Sequence, residues 1–124
     1  YNEPKCVEGI IKARAAFEAG ELKRTLERWH GANTEGAFWG WCEAWLSPAF
    51  AAWDMRPVLP RVSVPTLVVQ GEDDEYGTEE QVDAFVAGVG GPAAKVISPA
   101  CGHWPHLRHA DQLTAAIKGF LARH

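Results

Sequence analysis

Apolar residues recur at helical intervals over the first part of the chain and gather into unbroken runs after it. Val7, Ile10, Ile11 and Phe17 share the spacing of one helix face, and Gly20 stops the run. Leu22, Leu26 and Trp29 carry the same period as far as Gly31. A third helix follows, with Asn33 or Thr34 as its cap and Phe38, Trp41, Cys42 and Trp45 as its apolar stripe, until Pro48 ends it. The pattern up to residue 54 predicts short helices and no strand.

The character changes where Pro57, Pro60 and Pro65 precede the run Thr66-Leu67-Val68-Val69, read as uniformly apolar. A run without polar alternation predicts a strand buried on both faces, as in a parallel sheet covered by helices. Gly71 ends it. Thr78 and Gln81 have the spacing of a capping box ahead of Val82, Phe85, Val86 and Val89, and Gly90-Gly91-Pro92 closes that helix. A second strand is predicted over Lys95 to Ser98. After a loop from Pro99 to Pro105, the spacing of Leu113, Ala116, Ile117, Phe120 and Leu121 predicts a final amphipathic helix. The chain therefore divides into a helical region, residues 1–60, and an α/β region, residues 61–124, in which strand, helix, strand and helix alternate and imply a parallel sheet. Two strands fall short of the roughly five or six of an ordinary sheet, so the pattern implies that further strands lie outside these residues.

Composition narrows the partners. The 124 residues are 47% hydrophobic and 23% charged, which suits one globular domain or part of one. Twelve Lys plus Arg against sixteen Asp plus Glu give a net charge of −4 without a basic stripe, which excludes nucleic acid and anionic membrane as leading partners. No apolar run reaches the roughly 20 residues of a membrane span, and a cytoplasmic location is the expectation. Cys6, Cys42 and Cys101 are too few for a disulfide framework and form no C-x-x-C pair, so they are expected as reduced thiols.

The candidate chemistry lies in two loops, GEDDEYG (71–77) and PACGHWPH (99–106). Both follow the carboxyl ends of predicted strands, where open α/β sheets place their sites. One offers carboxylates and the other a histidine, and a buried Asp that accepts the Nδ1 proton of a His leaves the other nitrogen as a base. Taken alone, the run Glu72-Asp73-Asp74-Glu75 also fits a solvated loop, and it lacks the alternating ligands of a calcium loop. His103, His106 and His109, with Cys101 nearby, raise the question of a metal, but Pro105 interrupts the helix that would align the imidazoles, and no metal is expected. The tryptophans at 39, 41, 45 and 53 fit either a core or a pocket lining; Trp39 and Trp41, two apart, cannot share one helix face.

At these residues the sequence resembles the α/β-hydrolase fold family. VPTLVVQGEDDEYGT is similar to that family's late strand and acid loop, and AKVISPACGHWPHLRHADQLTAAIKGFL to its last strand, histidine loop and terminal helix. The resemblance implies the C-terminal part of the fold, with residues 1–60 as a helical cap, Asp74 as triad acid (Asp73 being the alternative) and His103 as base. Trp39, Trp41 and Trp104 are the substrate-binding candidates. The family's nucleophile sits in a Gly-x-Ser-x-Gly elbow, a setting that none of Ser47, Ser63 and Ser98 has. The implied function is the acid and base portion of a serine hydrolase of carboxylic esters or related acyl substrates, without its nucleophile and without cofactor. The alternatives are a carbon–carbon bond hydrolase of the same fold and a non-catalytic fragment or binding module. The implied partners are a small ester or acyl molecule and either the missing N-terminal half or a second copy of the chain.

Overall fold

Helix α1 (Pro4–Glu18) begins on a proline, whose missing N–H costs nothing in a first turn. Its buried residues Cys6, Ile10, Ala13 and Phe17 lie on one face. Gly20 then adopts a left-handed φ of 84° and leads into α2 (Glu21–His30). A Cβ at Gly20 would find room, so the backbone angle and not crowding calls for glycine. Helix α2 buries none of its residues, and Trp29, predicted on the inner stripe, is 82% exposed. With charged residues on most of its surface, the helix offers Leu22 and Leu26 as its half-buried apolar residues. In α3 (Thr34–Leu46), Thr34, Phe38 and Cys42 are buried at four-residue intervals. The expected cap is not formed there: Asn33 makes no side-chain capping bond, and the Thr34 hydroxyl instead donates back to the Gly31 carbonyl at 2.7 Å.

These helices belong to a unit spanning Asn2–Trp53 in a computed structural model that describes all 124 residues. Its interior is aromatic. Phe17 and Phe38 stack face to face with centroids 3.8 Å apart, and Trp39 meets both edge-on at 5.6 and 5.3 Å. Trp45, Phe50 and Trp53 form a second cluster, with centroids 4.8 to 5.6 Å apart.

The second unit comprises Asp54–His124 with Tyr1. A 3₁₀ segment over Arg56–Arg61 leads to β1 (Thr66–Gly71), α4 (Glu79–Gly88), β2 (Ala93–Ser98), a one-turn α5 (Pro105–Arg108) and α6 (Ala110–Leu121). The strands pair in parallel, Thr66 opposite Ala93 through to Gly71 opposite Ser98. Helix α4 packs on both strands, with Val82 buried, while Lys95 on β2 reaches back to Glu79 and Asp83 of α4 at 2.7 and 2.5 Å.

Two sequence expectations fail here. Thr78 occupies the N-cap of α4, but the capping box does not form, because the Gln81 side chain turns to Tyr1, its Oε1 accepting from the terminal ammonium at 3.4 Å and its Nε2 donating to the carbonyl at 2.7 Å. Leu67, Val68 and Val69 are half-buried, not covered on both faces. The sheet has two strands, so each has a neighbour on one side only.

Candidate active site

Because Gly71 pairs with Ser98, β1 and β2 end level and their following loops start side by side. Backbone bonds then lace the loops together. The Glu72 N–H donates to the Ser98 carbonyl at 2.9 Å and the Asp73 N–H to the Cys101 carbonyl at 2.8 Å. A Cβ at Gly71 would sit 2.1 and 2.2 Å from the carbonyl oxygens of Gly102 and Cys101, so only glycine lets the histidine loop cross this closely. Cys101 is buried in the crossing as a free thiol.

On this frame Asp74 is 7% exposed. Its N–H bonds the Gly71 carbonyl at 3.2 Å, and its Oδ1 accepts the Tyr76 N–H at 2.8 Å, which fixes the carboxylate inside its own turn. The His103 Nδ1 lies 3.1 Å from Oδ1 and 3.0 Å from Oδ2 of Asp74. A carboxylate only accepts, so Nδ1 carries the proton and Nε2 is the nitrogen able to take one. The imidazole side chain is 44% exposed. It stands edge-on between the Tyr76 ring at 4.9 Å and the Trp104 ring at 5.4 Å, and Trp104 continues to His106 at 5.5 Å. Asp73, the alternative acid, is exposed and enters the crossing through its backbone.

The structure thus brings Asp74, His103 and Trp104 together in the α/β unit, with Trp104 53% exposed. Trp39 and Trp41 belong to the helical unit. Trp39 is half-buried, and its indole N–H donates to Glu35 at 2.8 Å; Trp41 is 36% exposed and lies 5.7 Å from the Phe38 ring.

Sequence reasoning missed several residues that shape these loops. Glu72 accepts the N–H of Ala100 at 3.0 Å, where the backbone takes an unusual φ of 50°, and Glu75 accepts the N–H of His103 at 3.2 Å. Ser98, buried at the end of β2, lies 3.0 Å from the His109 Nδ1 and 3.4 Å from the Gln112 Oε1, which ties the strand to the start of α6. The two glutamates were visible as part of the acidic run, but no local signal marks their partners 28 residues away.

No family model matches the sequence. The chain is 34% identical over 70 residues, 56% of its length, to a 2-hydroxy-6-oxononadienedioate/2-hydroxy-6-oxononatrienedioate hydrolase of Klebsiella pneumoniae, and covers 24% of that protein. It is 36% identical over 73 residues, 58% of its length, to a 2-hydroxy-6-oxo-6-phenylhexa-2,4-dienoate hydrolase of Delftia acidovorans, and covers 25% of it. The matched stretch thus spans about a quarter of these curated relatives. Among solved structures, a serine hydrolase involved in carbazole degradation superposes with a TM-score of 0.62 at 26% identity, over 76% of this chain and 36% of that one. A thermophilic esterase from Thermogutta terrifontis superposes with a TM-score of 0.55 at 23% identity, over 98% of this chain and 52% of that one, a likeness of fold. Sequence kinship to the dienoate hydrolases and a shared fold with the serine hydrolase agree: the chain has the α/β-hydrolase fold and corresponds to a C-terminal part of it.

Proposed function

We propose that this chain supplies the acid and base of a hydrolase site, with Asp74 as triad acid and His103 as general base. The nucleophile comes from a segment outside these 124 residues. The observation that carries the reading is the Asp74 carboxylate seated on the Nδ1 of His103 at 3.0 and 3.1 Å. In that arrangement the Nε2 of His103 removes the proton of a serine hydroxyl as its oxygen attacks a carbonyl carbon. The imidazolium, balanced by Asp74, then hands the proton to the leaving atom as its bond to the carbonyl carbon breaks, and a water deprotonated by the same Nε2 attacks the acyl group, releasing the acid and returning the serine hydroxyl. A leaving alkoxide oxygen makes the reaction ester hydrolysis; a leaving carbon makes it carbon–carbon hydrolysis of a dioxo acid. The names of the relatives at 34% and 36% identity favour the second, whereas the likeness to the esterase is one of fold. Trp104, exposed and edge-on to His103, contributes an aromatic wall for the substrate.

The test compares turnover of a 2-hydroxy-6-oxo-dienoate and of a p-nitrophenyl ester by the chain joined to a nucleophile-bearing segment. The dienoate is expected to be hydrolysed faster. Asp74→Asn should lower kcat by about three to four orders of magnitude while the fold persists, since the lesion is in the tautomer and charge balance of His103. Asp73→Asn should change kcat little. Equal losses at both positions would overturn the assignment of Asp74, and binding of the dienoate without any turnover would mark a binding module instead.

A further inference from the structure

Four consecutive acids, Glu72 to Glu75, would repel one another in a solvated loop, yet each of them meets the histidine loop. Glu72 takes the N–H of Ala100, the Asp73 N–H meets the carbonyl of Cys101, Asp74 holds the ring of His103 and Glu75 holds its backbone N–H. The last pair matters most, because His103 is anchored at both ends by neighbouring carboxylates. Asp74 grips the imidazole at Nδ1, and one residue later Glu75 grips the main chain from which the imidazole springs. A single anchor at Nδ1 would let the ring follow any drift of its backbone. The His103 side chain is 44% exposed, flanked by the edges of the Tyr76 and Trp104 rings. Gly102 fits the same contact, since a Cβ there would lie 3.0 Å from the Glu75 Oε2.

We propose that Glu75 is a positioning residue, whose carboxylate fixes the backbone of His103 so that Nδ1 stays on Asp74 and Nε2 keeps one direction. The consequence for turnover rests on the acid and base reading given above; the positioning itself is read without it. Glu75 is exposed and makes a charge-assisted bond to a backbone N–H, so its removal acts on the loop and not on the core.

The experiment is nuclear magnetic resonance on the full chain labelled with ¹⁵N-histidine and ¹⁵N in the backbone, for the parent, Glu75→Ala, Glu75→Gln and Asp74→Asn. In Glu75→Ala the His103 amide should exchange about tenfold faster, the factor that one net hydrogen bond represents. Its ring nitrogens should move from the Nδ1–H signature toward an average of the two tautomers. Glu75→Gln, whose side-chain carbonyl can accept the same bond, should restore both signals. Amides of β1 and β2 should be unchanged throughout. Parent-like exchange and tautomer in Glu75→Ala would overturn the proposal. So would failure of Glu75→Gln to rescue them, or equally faster exchange across both strands, which would make Glu75 a residue of general stability. Asp74→Asn separates the two readings: a ring signature unchanged in that variant defeats the pairing of Asp74 with His103 and says nothing against the hold of Glu75 on the backbone.

Discussion

At the scale of single residues, the loop crossing turns on the absence of one carbon atom. Gly71→Ala would press a Cβ against two backbone carbonyls at 2.1 and 2.2 Å, and backbone cannot swing aside as a side chain can. The expected cost is about 3 kcal/mol, at the upper end of overpacking penalties, with Asp74 and His103 drawn apart. Gly102→Ala is the control, because its Cβ would meet only the end of the exposed Glu75 side chain at 3.0 Å; it should cost far less. Thermal unfolding of both variants checks the order. The tryptophans divide in the same way. Trp39 packs edge-on against Phe17 and Phe38 and bonds Glu35, so Trp39→Ala should lower stability by about 3 kcal/mol. Trp41 and Trp104 are more exposed, and their alanine variants should cost less in stability. If Trp104 meets substrate as proposed, Trp104→Ala changes the ratio of kcat/KM between a small and a bulky acyl group by about 1–3 kcal/mol. A ratio equal to the parent's in that variant would remove Trp104 from the substrate wall.

At the scale of elements, what was legible in the sequence is what local pattern controls. Gly20 and Gly31 punctuate the helices because a positive φ is a local demand, and the structure gives them 84° and 52°. The apolar runs became β1 and β2 because no helix period fits them, and the order of acid loop and histidine loop followed from there. The failures were decided at long range. Thr78 and Gln81 have the right spacing for a capping box, but the Gln81 amide found Tyr1, 80 residues earlier, and no window around α4 contains that competitor. The burial of β1 was overestimated for a similar reason. Apolarity reports what a strand can tolerate on its faces, whereas burial depends on which elements pack against them. The bonds of Glu72 and Glu75 and the Ser98, His109 and Gln112 network join residues 11 to 28 apart, at an angle set by strand register, which periodicity does not encode.

At the scale of the molecule, the sheet leaves a demand unmet. Two parallel strands pair with each other and with nothing else, so each presents an outer row of N–H and C=O groups along an apolar strand. Helix α6 adds Ile117 at 41% and Leu121 at 66% exposure, one turn apart, and α5 adds Leu107 at 71%. Water satisfies the polar groups of an open edge but not exposed apolar side chains, and parallel sheets are ordinarily covered on both faces. The chain is therefore expected to associate, with a segment that extends the sheet or with a second copy of itself, burying more than about 1,000 Å². Sedimentation of the chain alone should show a mass above that of one chain that rises with concentration, and adding a segment able to extend the sheet should replace self-association by a single stoichiometric complex. Charge on Lys95, the one cation on β2, lies toward α4 in its bonds to Glu79 and Asp83 and so does not guard an edge against pairing. A monodisperse monomer at concentrations of tens of micromolar, unfolding cooperatively by calorimetry, would show that two strands under α4 close this fold without help.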